Sequence, residues 1–252
     1  MSNFFAKPAG QERNRGFSRE MWLNCPREEI RIDRSVGYYF EDDFSDLPTG
    51  RYTVTQATNG TFALDDADGG VALADCASST NGQGVTVQLG GAGGAFLTPA
   101  AGKKIWFEAR LKIVDAATPP EFFIGLSEID TTLISTGANS SANHIGFENV
   151  AVSGVALTTV SEKAGARNAN AGESTFTDDA WTKLGFYVNG VTNITFYQNG
   201  VALASKNVAA NIPVVGLTPS LVCQSNGTTD PVVHLDWWEV YVEDRDDVTH
   251  ST

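Results

Sequence analysis

The stretch WTKLGFYVNGVTNITFYQNGVALAS, residues 181–205, limits the fold more than any other part of the chain. Thr182, Leu184, Phe186 and Val188 alternate, Asn189-Gly190 follows, Ile194 and Phe196 alternate again, and Asn199-Gly200 closes the unit. Alternation at period two puts these apolar side chains on one face of a strand. Asn-Gly accepts the positive φ that a two-residue hairpin needs. Three consecutive antiparallel strands are therefore predicted.

The same patterning recurs. In KKIWFEARLKIVD, residues Ile105, Phe107, Ala109, Leu111 and Ile113 fall on one side, predicting a buried face, and Trp106, Glu108, Arg110 and Lys112 on the other, predicting a wet one. In PVVHLDWWEVYVE, Val233, Leu235, Trp237 and Tyr241 are expected on one face and His234, Asp236, Trp238 and Val240 on the other, as in an inner strand. Weaker strands, among them RYTVTQA, GVTVQLG, EFFIGLSE and NHIGFENV, bring the expected count to about a dozen, punctuated by turns as in an antiparallel sandwich. The polar run from about Glu162 to Asp179 reads as a long loop.

Residues 1–36 lack this alternation and read as an extended arm, with a short helix over CPREEIRI that could persist only against a surface. The sandwich spans residues 37–243, and residues 244–252 form a charged tail.

Residues 1–34 hold seven Lys/Arg against five Asp/Glu, so the net −13 of the chain leaves −15 on the remainder. A body this acidic repels phosphate backbones and anionic bilayers, which argues against nucleic-acid or membrane partners. Cys25, Cys76 and Cys223 have no paired spacing and read as buried thiols. The first residues lack the apolar run of a secretory signal, so synthesis in a cytoplasm is expected.

Site chemistry is sparse. Asp65, Asp66 and Asp68 precede Gly69, but the twelfth position of a calcium loop is Cys76, and Asp-Gly-Gly reads more simply as a turn. His144, His234 and His250 are solitary, GQGVTVQLGGAGGAF lacks the lysine of a phosphate loop, and there is no Gly-x-Ser-x-Gly elbow. No metal and no cofactor is expected. Trp106, Trp237, Trp238 and Tyr241 could form a platform for sugar rings, for example a host-surface glycan, or could be core. In the arm, Arg13, Arg15, Phe17, Arg19, Trp22, Arg27 and Ile30 interleave cations with apolar anchors, the composition of a protein-binding surface.

Trp181, Leu184, Phe186, Phe196, Tyr197, Asn199 and Gly200 resemble the strand and hairpin of the concanavalin A-like or laminin G-like jelly roll, and LDWWEVYV resembles its terminal strand. This implies an all-β jelly-roll sandwich preceded by the arm. The opening MWLNCPREEIRIDRSVGYYFEDDF, through Trp22, Cys25, Pro26, Tyr39, Phe40, Asp42, Asp43 and Phe44, is similar to structural proteins of tailed-bacteriophage virions. The resemblance implies a capsid decoration or cement protein on the virion surface, docked on the major capsid protein and able to self-associate, for example as a trimer. One jelly-roll glycoside hydrolase family carries three acids on one strand. SEIDTTLIS supplies Glu128 and Asp130 but has Thr132 and Leu133 where the third acid belongs, so a non-enzymatic protein is expected.

Overall fold

The computed structural model describes residues 16–243, except 58, 66, 68, 78, 91–93, 115–119, 136–137, 140–141, 151–155, 205–207 and 229. Arg13, Arg15, Asp66, Asp68, His250 and the tail therefore lie outside the described residues.

Among the described residues the first elements are helix α1 (Arg27–Ile32) and strand β1 (Gly37–Asp42). Then come β2 (Tyr52–Ala57), β3 (Thr61–Leu64), β4 (Ala72–Asp75), β5 (Gly84–Leu89), β6 (Lys104–Val114) and β7 (Glu121–Ser127). A small hairpin, β8 (Ile134–Ser135) and β9 (Ala138–Asn139), precedes β10 (His144–Asn149), β11 (Ala156–Lys163) and β12 (Ala166–Thr175). The last strands are β13 (Thr182–Asn189), β14 (Asn193–Gln198), β15 (Val201–Ala202), β16 (Thr218–Gln224) and β17 (Val232–Glu243).

Two antiparallel sheets result. One runs β15-β14-β13-β6-β17-β4-β3, with β1 pairing beside the C-terminal half of β17, and the other β12-β11-β10-β7-β16-β5-β2. The two Asn-Gly turns deliver β13, β14 and β15 as consecutive antiparallel strands, as their sequence predicts. Between the sheets lie Ile105, Phe107, Leu111, Phe122, Ile124, Phe147, Phe186, Phe196, Leu221 and Val240, each at most 1 % exposed. The fold is the all-β jelly-roll sandwich of the concanavalin A-like type.

Three expectations change. First, the outward face of β6 is not wet: Trp106 and Glu108 are 1 % exposed beneath residues of the N-terminal segment, and Arg110, 7 % exposed, pairs with Asp236 under the Trp181 ring. Second, the alternation of β17 breaks at a register shift between Leu235 and Trp237. A bulge of one residue moves every later side chain to the opposite face. Trp238 and Val240 therefore join Val233 and Leu235 in the core, and Tyr241 turns outward. Third, residues 166–175 form edge strand β12, paired with β11, where a polar loop was expected. Small and polar side chains suit an edge strand with a solvated flank, so polarity alone could not separate the two.

Residues 16–36 precede the sandwich and lie along the outer face of the first sheet. Helix α1 starts after Pro26, with Glu28 and Glu29 in its first turn and Arg31 in its last, the charge order the helix dipole favours. Six residues cannot hold a helix in water. Ile30, fully buried, supplies the missing surface. Among the described residues no helix is long and apolar enough to cross a membrane.

Candidate functional site

The layer over β6 and β17 brings together two sets of residues that the sequence presents separately. Met21, Trp22 and Ile30 from the N-terminal segment pack with Trp106 and Tyr241 in one cluster outside the main core. Trp22 meets Tyr241 edge-on at 5.5 Å, and Tyr39 stacks on the other side of Tyr241 at 5.0 Å. Trp106 and Tyr241 are thus covered by their own chain and cannot stack a sugar in this conformation. Trp238 is also unavailable: it lies between the sheets beside Phe44 and Tyr52, and its indole N–H donates to the Tyr52 hydroxyl at 3.3 Å.

Polar bonds fix the segment in register. The Trp22 indole N–H donates to Glu108 Oε2 at 2.7 Å, and the Ser18 backbone N–H donates to the same oxygen at 2.9 Å. Lys183 Nζ donates to Gly16 O at 3.0 Å. Burial pushes the Glu108 carboxyl upward, opposed by the bonds from Ser18 and Trp22 and by the charge of Lys183.

Arg27 sits at the centre of the remaining face. It donates to Glu239 Oε2 at 2.6 Å and to Glu41 Oε1 at 3.0 Å. Its guanidinium carbon lies 4.4 Å from the Phe17 ring centre, 4.8 Å from Trp22 and 5.0 Å from Tyr241. Arg31 also bonds Glu41 and donates through Nε to the Tyr241 hydroxyl at 2.6 Å, while that hydroxyl donates to Glu41. Burial drives Glu239 above the ordinary carboxylate range, with Arg27 pulling the other way. Burial also acts upward on Glu41, but the bonds from Tyr241 and Arg31 outweigh it and leave that group low.

An open groove of about 480 Å³ runs over this cluster, lined among others by Phe17, Arg27, Glu41, Asp43, Trp237 and Glu239. Of the four aromatic residues expected to form a sugar platform, Trp237 and Trp238 line it, and Trp238, 1 % exposed, has its ring packed in the core. From the arm, Phe17 and Arg27 line it, Trp22 and Ile30 point into the protein, and Arg19 is exposed. Glu41, Glu108 and Glu239 were not legible as site residues. The signal was present for Glu108: an acid beside a tryptophan on the outward face of a long strand calls for a cover.

The second sheet carries its own cluster on its outward face. His144, Glu148 and Glu162 are each at most 4 % exposed, and Arg167 on the edge strand bonds both glutamates, Glu162 at 3.1 Å. His144 Nδ1–H donates to Ala142 O at 2.7 Å, and burial lowers its pKa to about 4. Gly146 leaves room for the Phe123 ring, which meets His144 edge-on at 5.5 Å; a Cβ at Gly146 would come within 2.9 Å of that ring. Leu133 and Ile134, at the start of the β8–β9 hairpin, pack with Phe123, Val160 and Val222.

Glu128 and Asp130 lie in the turn after β7. Glu128 accepts from the Asn143 backbone and side-chain amides at 2.9 and 2.7 Å, and Asp130 caps the Thr132 N–H at 2.8 Å. Asp65 faces His234 Nδ1 at 3.2 Å. Among the described residues no three His, Cys, Asp or Glu side chains are placed to hold a metal.

No protein-family model and no curated protein matches the chain. Solved structures do. A β-1,3-1,4-glucanase (lichenase) derived from a mouse hindgut metagenome superposes with a TM-score of 0.52 and 12 % identity, over 80 % of this chain and 98 % of that one. The Bacillus licheniformis β-glucanase gives 0.51 and 14 %, over 82 % and 98 %. A protein of unknown function from Shewanella oneidensis MR-1 gives 0.54 and 14 %, over 88 % and 97 %. At such identities the likeness is one of fold. It nonetheless overturns the expectation that the protein is not an enzyme: two of these neighbours are β-glucanases nearly whole, so this fold carries catalysis and one missing acid after Asp130 cannot rule it out.

Proposed function

We propose that the protein is a structural component of a tailed-bacteriophage virion, a capsid decoration or cement protein attached to the major capsid protein through its N-terminal segment. One observation supports this reading above the others. Of the nine large hydrophobic residues exposed among the described residues, Phe17, Leu23, Ile32 and Tyr39 fall within residues 17–39. Leu23 is 71 % and Ile32 84 % exposed, on a segment whose Met21, Trp22 and Ile30 are anchored inward. Inward anchoring lowers the entropy lost on docking, since the segment is already ordered. The exposed apolar residues are flanked by Arg19 and Arg34, suited to acidic groups on a shell or on another copy in a closed oligomer. Trp22, expected as part of the protein-binding surface, instead braces the segment from within, and Leu23 and Ile32 make the contact. Binding only the assembled state would stabilise the shell by linkage. A photo-crosslinking residue in place of Ile32 tests this; transfer to the major capsid protein is expected, and crosslinks to no virion protein would contradict it.

A second reading rests on the groove, where Phe17 and Trp237 sit beside Arg27, Glu41, Asp43 and Glu239. Aromatic faces next to carboxylates are how proteins hold sugar rings and their hydroxyls. A glycan array that shows binding lost on Trp237→Ala would support it, and an array without a hit would count against it.

A further inference from the structure

The two most buried thiols of the chain meet although 147 positions separate them. Cys76 directly follows β4 in the first sheet, and Cys223 lies on β16 in the second. Both side chains are fully buried, with their sulfurs 3.2 Å apart. The same stretch of chain backs both: the Cys76 N–H donates to Pro231 O at 3.4 Å, and Cys223 Sγ lies 3.7 Å from that oxygen. Cys25, on the outer face with Trp22 and Tyr241, belongs to a different cluster.

We propose that Cys76 and Cys223 are a modification site at which a small-molecule disulfide such as oxidised glutathione closes a covalent staple between the two sheets. The reagent disulfide RSSR accepts the two electrons: Cys76–SH and Cys223–SH become Cys76–S–S–Cys223, its S–S bond breaks, and the two thiol protons end on two RSH. Reaction needs a thiolate. The bond with Cys76, burial and the neighbouring Asp75 hold the Cys223 thiol well above its ordinary pKa. Oxidation of the folded protein is therefore slow, and the staple closes during folding or on opening of the β3–β4 hairpin. Once closed, it is shielded from reductant by the same core. Capsid attachment plays no part in this chemistry.

The test uses the full chain carrying Cys25→Ser, refolded from denaturant either in a glutathione redox mixture or in excess dithiothreitol. Peptide mass mapping should find Cys76 and Cys223 in one linked pair, lighter than the two separate peptides by two hydrogen atoms. Because the loop is long, the oxidised form should melt on the order of 10 °C above the reduced one, reversibly with dithiothreitol after denaturation. Cys76→Ala with Cys223→Ala should show no oxidant-dependent shift; if it does not fold, the comparison of the two redox forms decides. Two free thiols after oxidative refolding, adducts with glutathione alone, or a linked form that melts no higher than the reduced one would overturn the proposal.

Discussion

Trp22 donates its indole N–H to Glu108 Oε2 at 2.7 Å, across 86 positions of chain. The bond ties the N-terminal segment to the longest strand of its sheet apart from β17. It also resolves why Glu108 can be buried on what the sequence presents as a wet face.

If that bond registers the segment, Trp22→Phe should cost about 2 kcal/mol, the worth of a hydrogen bond to a buried carboxyl left with one partner fewer. Trp22→Ala should cost about 3–5 kcal/mol by opening a cavity over Trp106 and Tyr241. Denaturant melts of both variants check the order. A Trp22→Ala protein as stable as wild type would show that the segment contributes nothing to the sandwich.

Arg27 and Glu239 should behave as a buried pair, since their side chains are only 13 % and 8 % exposed. Arg27→Met leaves a carboxylate stranded and should cost about 3–5 kcal/mol, whereas Arg27→Met with Glu239→Gln should recover much of that loss. A double-mutant cycle measures the coupling. Additive losses would mean the two groups are independent.

Burial depresses His144 to about 4 from its ordinary value near 6.5. Between these pH values the unfolded chain binds a proton that the folded protein does not, so stability is present above about pH 6.5 and falls as pH drops towards 4, by about 3 kcal/mol in all. The raised carboxyls Glu108, Glu162 and Glu239 act in the opposite sense over their own range. The difference between wild type and His144→Gln therefore isolates the histidine. Thermal melts from pH 4 to 8 should show a wild-type curve that falls more steeply on the acid side than that of the variant; parallel curves would rule the effect out.

The sandwich was legible because its strands are signed twice, by alternation and by Asn-Gly turns, and both signals are local. The site was less legible because its defining facts are not. Trp106 and Tyr241 look like a sugar platform until a segment more than 70 positions earlier is seen to cover them. Trp237 and Trp238 exchange faces at a bulge that leaves no residue-type signature. Nothing local in Cys76 or Cys223 announces that β4 and β16 bring them together. The helix over residues 27–32 was readable from Pro26 and the order of its charges, but its need for a surface did not say that the chain's own first sheet supplies it.

The central claim is that Leu23 and Ile32 form the attachment surface, and one measurement tests it most directly. Leu23→Glu with Ile32→Glu changes two exposed positions, so the melting temperature should move by no more than a few degrees. Mixed with virion heads assembled without the protein and sedimented, wild type should saturate the particles, and the variant should stay in the supernatant with affinity reduced at least about tenfold, as expected for apolar anchors replaced by charge. Equal occupancy of the particles by wild type and a folded variant would contradict the account.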